Sequence, residues 1–84
     1  MEDFKREFDC HKLCEWINLK LHFGEDYNDL LITNHINGES FLELDLHNLG
    51  EIGIQPIGHR LRFFGLVRTE RKKLDLPKLT RKRN

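Results

Sequence analysis

A chain of 84 residues holds one domain with a small core and leaves no room for a site between two domains. Leu, Ile, Val and Phe supply 27 residues, well above a disordered composition, and no apolar run approaches the roughly 18 residues of a membrane span. Fourteen bases balance fourteen acids for a formal net charge of zero. The start of the chain, Met1 to Phe8, is too charged for a signal peptide, and Cys10 and Cys14 fit a reduced intracellular protein better than a disulfide scaffold.

The patterning predicts helices throughout. Leu outnumbers the β-branched residues, and the absence of Ala means that packing rather than propensity must hold the helices. Asp9 is the expected N-cap of a first helix that carries Leu13, Trp16, Ile17 and Lys20 on one stripe, with Phe8 as a hydrophobic staple ahead of it. His22–Phe23–Gly24 breaks that helix. A second should run from Glu25 or Asp26 to Asn34 with Tyr27, Leu30 and Leu31 inward, its early acids suiting the positive end of the helix dipole. Asn37–Gly38 signals a turn, and Glu39 to Leu42 has length for one helical turn. Asp45 should cap a fourth helix, Leu46 to Ile52, closed by Gly53 at C′ and weakened by Gly50. Pro56 opens the last and longest helix, in which Ile57, Leu61, Phe64, Val67 and Arg71 recur at three- and four-residue intervals. It should fade near Leu74, because Pro77 turns Leu76 away from helical geometry.

The net charge of zero conceals a lopsided distribution. From Leu21 to His59 there are seven acids and no Lys or Arg, whereas from Arg60 to Asn84 ten bases face only Glu70 and Asp75. On one small body this predicts an acidic surface and a basic surface.

Several spacings, taken in order, resemble the sterile alpha motif (SAM) domain family. Phe8 stands at the family's aromatic position before helix 1, and Leu13 with Trp16–Ile17 at its Val and Trp-Leu positions. Tyr27, Leu30 and Leu31 are similar to the helix 2 pattern, and Ile36–Asn37–Gly38 to the Ile-Asp-Gly turn. Phe41–Leu42–Glu43–Leu44 resembles the Leu-Leu-x-Leu signature. Leu49, Ile52, Gly53 and Ile54 resemble Leu-x-x-Leu-Gly-Ile, and Gly58–His59–Arg60 resembles the Gly-His-Arg that opens helix 5. Three departures stand out. The link from Trp16 to Tyr27 is about two residues longer than the usual pattern. Leu46, His47 and Asn48 replace acids common in helix 4, and Gly65 stands where an exposed base is common.

The resemblance implies an all-α, five-helix bundle over residues 8–75, with an N-terminal extension at 1–7 and a basic, disordered tail at 76–84. It also implies a protein-protein interaction module of a signalling or scaffold protein that binds another SAM domain, itself or a different one. An acidic mid-loop surface (Glu39, Glu43, Asp45, Asn48, Glu51) would meet an end-helix surface (Ile57, Gly58, His59, Arg60, Arg62), with Ile57 as apolar anchor. The alternative is an RNA-hairpin-binding SAM domain using Arg60, Arg68, Arg71, Lys72 and Lys73. It is disfavoured by the bulkier Ile57 opening and by the acidic middle segment. Enzyme chemistry lacks parts. Cys10, His11 and Cys14 have no fourth ligand at supporting spacing, the five histidines pair with no nucleophile, and no glycine-rich phosphate loop occurs. No cofactor or metal is expected. A cytoplasmic setting follows from the reduced cysteines, with the nucleus also open through the basic tail.

Overall fold

The computed structural model describes residues 3–77 and is helical, with no strand among them. The basic tail expected at 76–84 lies, beyond Pro77, outside the described residues. Asp9 caps α1 (Cys10–Lys20) by accepting the Lys12 N–H at 2.8 Å, and Leu13, Cys14, Trp16 and Ile17 form its buried face. Lys20 stays exposed, its ammonium 5.7 Å above the Trp16 ring. Phe8 is buried in the same core as Leu13, as the staple requires.

The segment ahead of Phe8 is packed rather than appended. Phe4 joins Phe8, Trp16 and Phe41 in an aromatic cluster with ring centroids 5.2–5.8 Å apart. The backbone at Lys5 and Arg6 passes so close to Gly38 that a Cβ there would lie 2.6 Å from the Lys5 carbonyl oxygen. Glycine is required at that crossing, and the Gly38 N–H donates to the Phe8 carbonyl at 2.8 Å.

The long link after α1 is taken up by a 3-10 turn, Gly24–Tyr27, so that the second helix begins later than its sequence pattern suggests: α2 is Asn28–Thr33. The short α3 (Gly38–Phe41) is capped by Asn37, and its Phe41 is buried together with Leu42 and Leu44 just beyond it. In α4 (Leu46–Glu51) Asp45 and Asn48 cap each other's backbone: Asp45 accepts from the Asn48 N–H at 2.9 Å, and Asn48 from the Asp45 N–H at 2.7 Å.

Three helices end in the same way. After α4, Gly53 adopts φ 118°, the Ile54 N–H reaches Leu49 and the Gly53 N–H reaches Gly50. This is a Schellman motif closed by the buried pair Leu49 and Ile54. His35 (φ 56°) does the same after α2, and Asp75 (φ 58°) after α5 (Ile57–Lys73).

Helix α5 corrects the expected stripe. Ile57 and Leu61 are exposed, by 66% and 53%, while Phe63, Val67, Glu70 and Arg71 are buried and Phe64 is half-buried. The sequence period sets Ile57 and Leu61 on one stripe with Phe64 and Val67, whereas the family resemblance makes Ile57 a surface anchor. In the first turns the side bearing His59 and Arg60 packs inward, against Phe23 and Gly50, so Ile57 and Leu61 lie on the outer face. The core is one cluster linking all five helices, with Phe41, Phe63, Leu13, Ile17 and Leu31 among its fully buried side chains.

Candidate protein-interaction surfaces

The start of α5 carries the residues expected on the end-helix side. Its first-turn N–H groups have no partner within the helix and give that end a positive dipole. Ile57 projects there with two-thirds of its surface exposed, so its burial in the core is excluded. A Cβ at Gly58 would meet nothing within 4 Å. Leu61, one turn on, is exposed beside it, and Arg62 is exposed as well. Ile57 and Leu61 therefore form an apolar pair on one helix face.

The other two residues of that group face inward in part. His59 stacks on Phe23 with centroids 3.8 Å apart and planes 8° from parallel, and its Nδ1 lies 2.5 Å from the Tyr27 hydroxyl. It joins α5 to the 3-10 turn. Arg60 donates to the Gln55 carbonyl at 2.8 Å, and its guanidinium fills the space that a side chain at Gly50 would occupy, 3.2 Å from a Cβ there. The expected weak point at Gly50 is thus the place where α4 admits Arg60, and the Arg60 Nε is buried there without a hydrogen-bond partner.

On the acidic side, the five expected residues divide by what already holds them. Arg6 grips Glu39 with a two-pronged contact, 2.9 and 3.3 Å. That hydrogen bond, and then the Arg6 charge, hold the Glu39 carboxyl below the usual carboxylate range. Asp45 and Asn48 are engaged in the α4 cap. Glu43 and Glu51 keep exposed carboxylates, 3.6 Å from Arg71 and 3.3 Å from His47 respectively. Leu46 is exposed beside them by 38%. Sequence reasoning missed Leu61 and Leu46 as surface residues, and Arg6 as the partner of Glu39. The sharper signal lay in Phe63, since Phe63 and Val67 make a second stripe offset from Ile57 and Leu61.

The basic residues of the RNA alternative do not form a single surface. Arg71 is only 8% exposed, and its guanidinium donates to the Leu42 carbonyl at 2.8 Å and twice to the Pro77 carbonyl. It is a structural clamp and is lost to any phosphate contact. Arg60 is held against Gln55 and Gly50, and Lys73 lies 3.5 Å from Glu70. Arg68 and Lys72 are exposed, the Arg68 guanidinium carbon 5.8 Å over the Phe64 ring. Among the described residues no group of three or more His, Cys, Asp or Glu is placed to hold a metal, and no helix is long and apolar enough to cross a membrane.

The sequence model of the SAM (sterile alpha motif) domain family matches residues 9–64. A relative, the mitogen-activated protein kinase kinase kinase MST11 of Pyricularia oryzae, is 39% identical over 71 residues. That alignment covers 84% of this chain and 8% of the relative, so the chain spans a small part of that protein's length. No solved structure matches the chain.

Proposed function

The chain belongs to the sterile alpha motif family, a family of protein-protein interaction modules, and from that premise we propose that it docks onto another SAM domain within a kinase-linked signalling protein. The resemblance to a kinase kinase kinase over most of this chain supports the signalling setting. The start of α5 meets the acidic surface of the second domain. The two faces differ in sign, so a contact between copies of this chain is heterologous and extends head to tail unless one face is capped. Exposure of Ile57 and Leu61 carries this reading: two large apolar side chains, next to Arg62 at the positive end of a helix, are left outside the core. Of the expected acids, Glu43 and Glu51 offer the most accessible carboxylates, with side chains 71% and 62% exposed.

Sedimentation against concentration, at low and high salt and with a set of SAM domains as partners, tests the proposal. Leu61→Asp should weaken association at least about tenfold, the usual effect of losing an interface anchor, and leave helicity unchanged. Glu51→Arg should weaken it less, and added salt should mimic that change. A chain that stays monomeric and binds none of those domains refutes the reading, as does association that survives both substitutions.

A further inference from the structure

Phe64, Gly65, Arg68 and Lys72 of α5, with Leu76 and Pro77 just beyond its end, line an open groove of about 870 Å³. Gly65 lies eight residues beyond Ile57, about 12 Å along the helix axis. The groove begins only one turn beyond Leu61, so it continues the exposed face assigned to SAM binding, but its own lining residues, not that assignment, decide its occupant.

Two independent features mark the groove. The first is Gly65 itself, exposed in the middle of a 17-residue helix, where a Cβ would meet nothing within 4 Å. Gly38 and Gly50 have neighbours that need the missing side chain; Gly65 has none among the described residues. Glycine there is the worst helix former after proline, with no compensating contact among the described residues. What it provides is bare backbone beside Phe64, open to close approach from outside. The second feature is charge. None of the residues lining the groove is acidic, while Arg68 and Lys72 stand exposed along it and Arg68 leans over the half-buried Phe64 ring.

We infer that this groove binds an acidic peptide segment carrying one bulky apolar side chain. That side chain seats on Phe64, Leu76 and Pro77 over the backbone of Gly65, and carboxylates on either side of it pair with Arg68 and Lys72. The sequence from Lys78 to Asn84 holds four bases and no acid, so charge opposes its folding back into the same place. Nucleic acid or an anionic lipid surface would satisfy the cations and leave the Gly65 notch without a use.

The test follows backbone amide shifts of the isotopically labelled chain on titration with acidic peptides of roughly 12 residues, centred on Leu, Phe or Trp. Saturating shifts should appear at residues 64–72, and an Ala-centred peptide should bind at least about tenfold more weakly. Gly65→Gln should weaken binding by a similar factor and raise Tm by about 3–6 °C, because it adds a better helix former in open space. Lower affinity with higher stability cannot come from misfolding. Arg68→Glu should weaken binding without moving Tm. The inference is overturned if none of the three peptides binds up to millimolar concentration, or if their shifts centre on residues 57–62. Equal binding of the Ala-centred peptide overturns it too. So does stronger competition by anionic vesicles or an RNA hairpin, or self-association through this face that Gly65→Gln abolishes. A nuclear Overhauser contact between Leu79 and Phe64 in the free chain would assign the groove to the tail instead.

Discussion

Replacing Arg71 with Met separates a clamp from a binding residue. Met fills most of the space of the buried stem and removes the guanidinium. The largest consequence falls on the Leu42 carbonyl, which belongs to a residue only 1% exposed and would lose the Arg71 partner at 2.8 Å. A buried acceptor left unsatisfied costs about 1–3 kcal/mol. The two bonds to the Pro77 carbonyl are replaced by water, since Pro77 is exposed, and their net loss is about 1 kcal/mol or less. The Glu43 contact adds less than about 1 kcal/mol, because that carboxylate is 71% exposed and screened. Together these give a loss of about 2–4 kcal/mol, or roughly 10–25 °C in Tm for a domain of this size. Urea unfolding followed by circular dichroism reads it directly. Glu43→Gln, as the control, should shift stability by less than about 1 kcal/mol. A cost below about 0.5 kcal/mol for Arg71→Met, or a Glu43→Gln cost equal to it, would show that the Leu42 carbonyl does not depend on the clamp.

Two further outcomes test the helix ends and the acidic surface. Gly53→Ala should destabilise by about 1–2 kcal/mol, since φ is 118° and the new methyl would press on Leu30 at 3.1 Å. Asp75→Gly at the equivalent place after α5 should stabilise by up to about 1 kcal/mol. Thermal melts that move the other way would disprove the assignment of these residues to left-handed caps. The Glu39 carboxyl should titrate below the usual carboxylate range by side-chain NMR, and Arg6→Gln should return it to that range. Because the folded value is depressed, this contribution is present above the unfolded carboxylate range and is lost as pH falls through the folded value. An unchanged Glu39 titration in the variant would mean that Arg6 is not its partner in solution.

The caps and turns were legible in the sequence because they rest on local chemistry. Asp9 and Asp45 are short acceptors ahead of apolar periodicity, and Gly53 is a glycine after it. The other two Schellman ends were not, because His35 and Asp75 carry no glycine; burial of Ile36 and anchoring of Leu76 hold them in the left-handed region. The register of α5 failed for a different reason. Ile57, Leu61, Phe64 and Val67 keep a helical period, but Phe63 and Val67 keep it too, and periodicity cannot say which of two overlapping faces turns inward. That choice depends on α4 and the 3-10 turn, since Gly50 admits Arg60 and Phe23 stacks on His59, which turns Ile57 and Leu61 outward. The packed N-terminal segment was hidden likewise, since only the fold brings Phe4 to Trp16 and Arg6 to Glu39.

The charge asymmetry of the sequence also changes meaning once the chain is folded. Seven acids between Leu21 and His59 suggest a strong negative face. Yet Glu39 already has Arg6, Glu43 has Arg71 nearby, and Asp45 caps α4. A partner's cation that meets Glu39 must displace Arg6, exchanging one exposed, solvent-screened pair for another with little net gain. Glu25, Asp26 and Asp29 have no ion pair among the described residues, so the 3-10 turn and α2 share the uncompensated negative charge with Glu51 of α4. Charges of that kind steer an approaching partner and set orientation, and their effect fades over about 8 Å at physiological salt. In the proposed contact the affinity must then come from apolar surface, for which Ile57 and Leu61 are the two large side chains exposed at the start of α5.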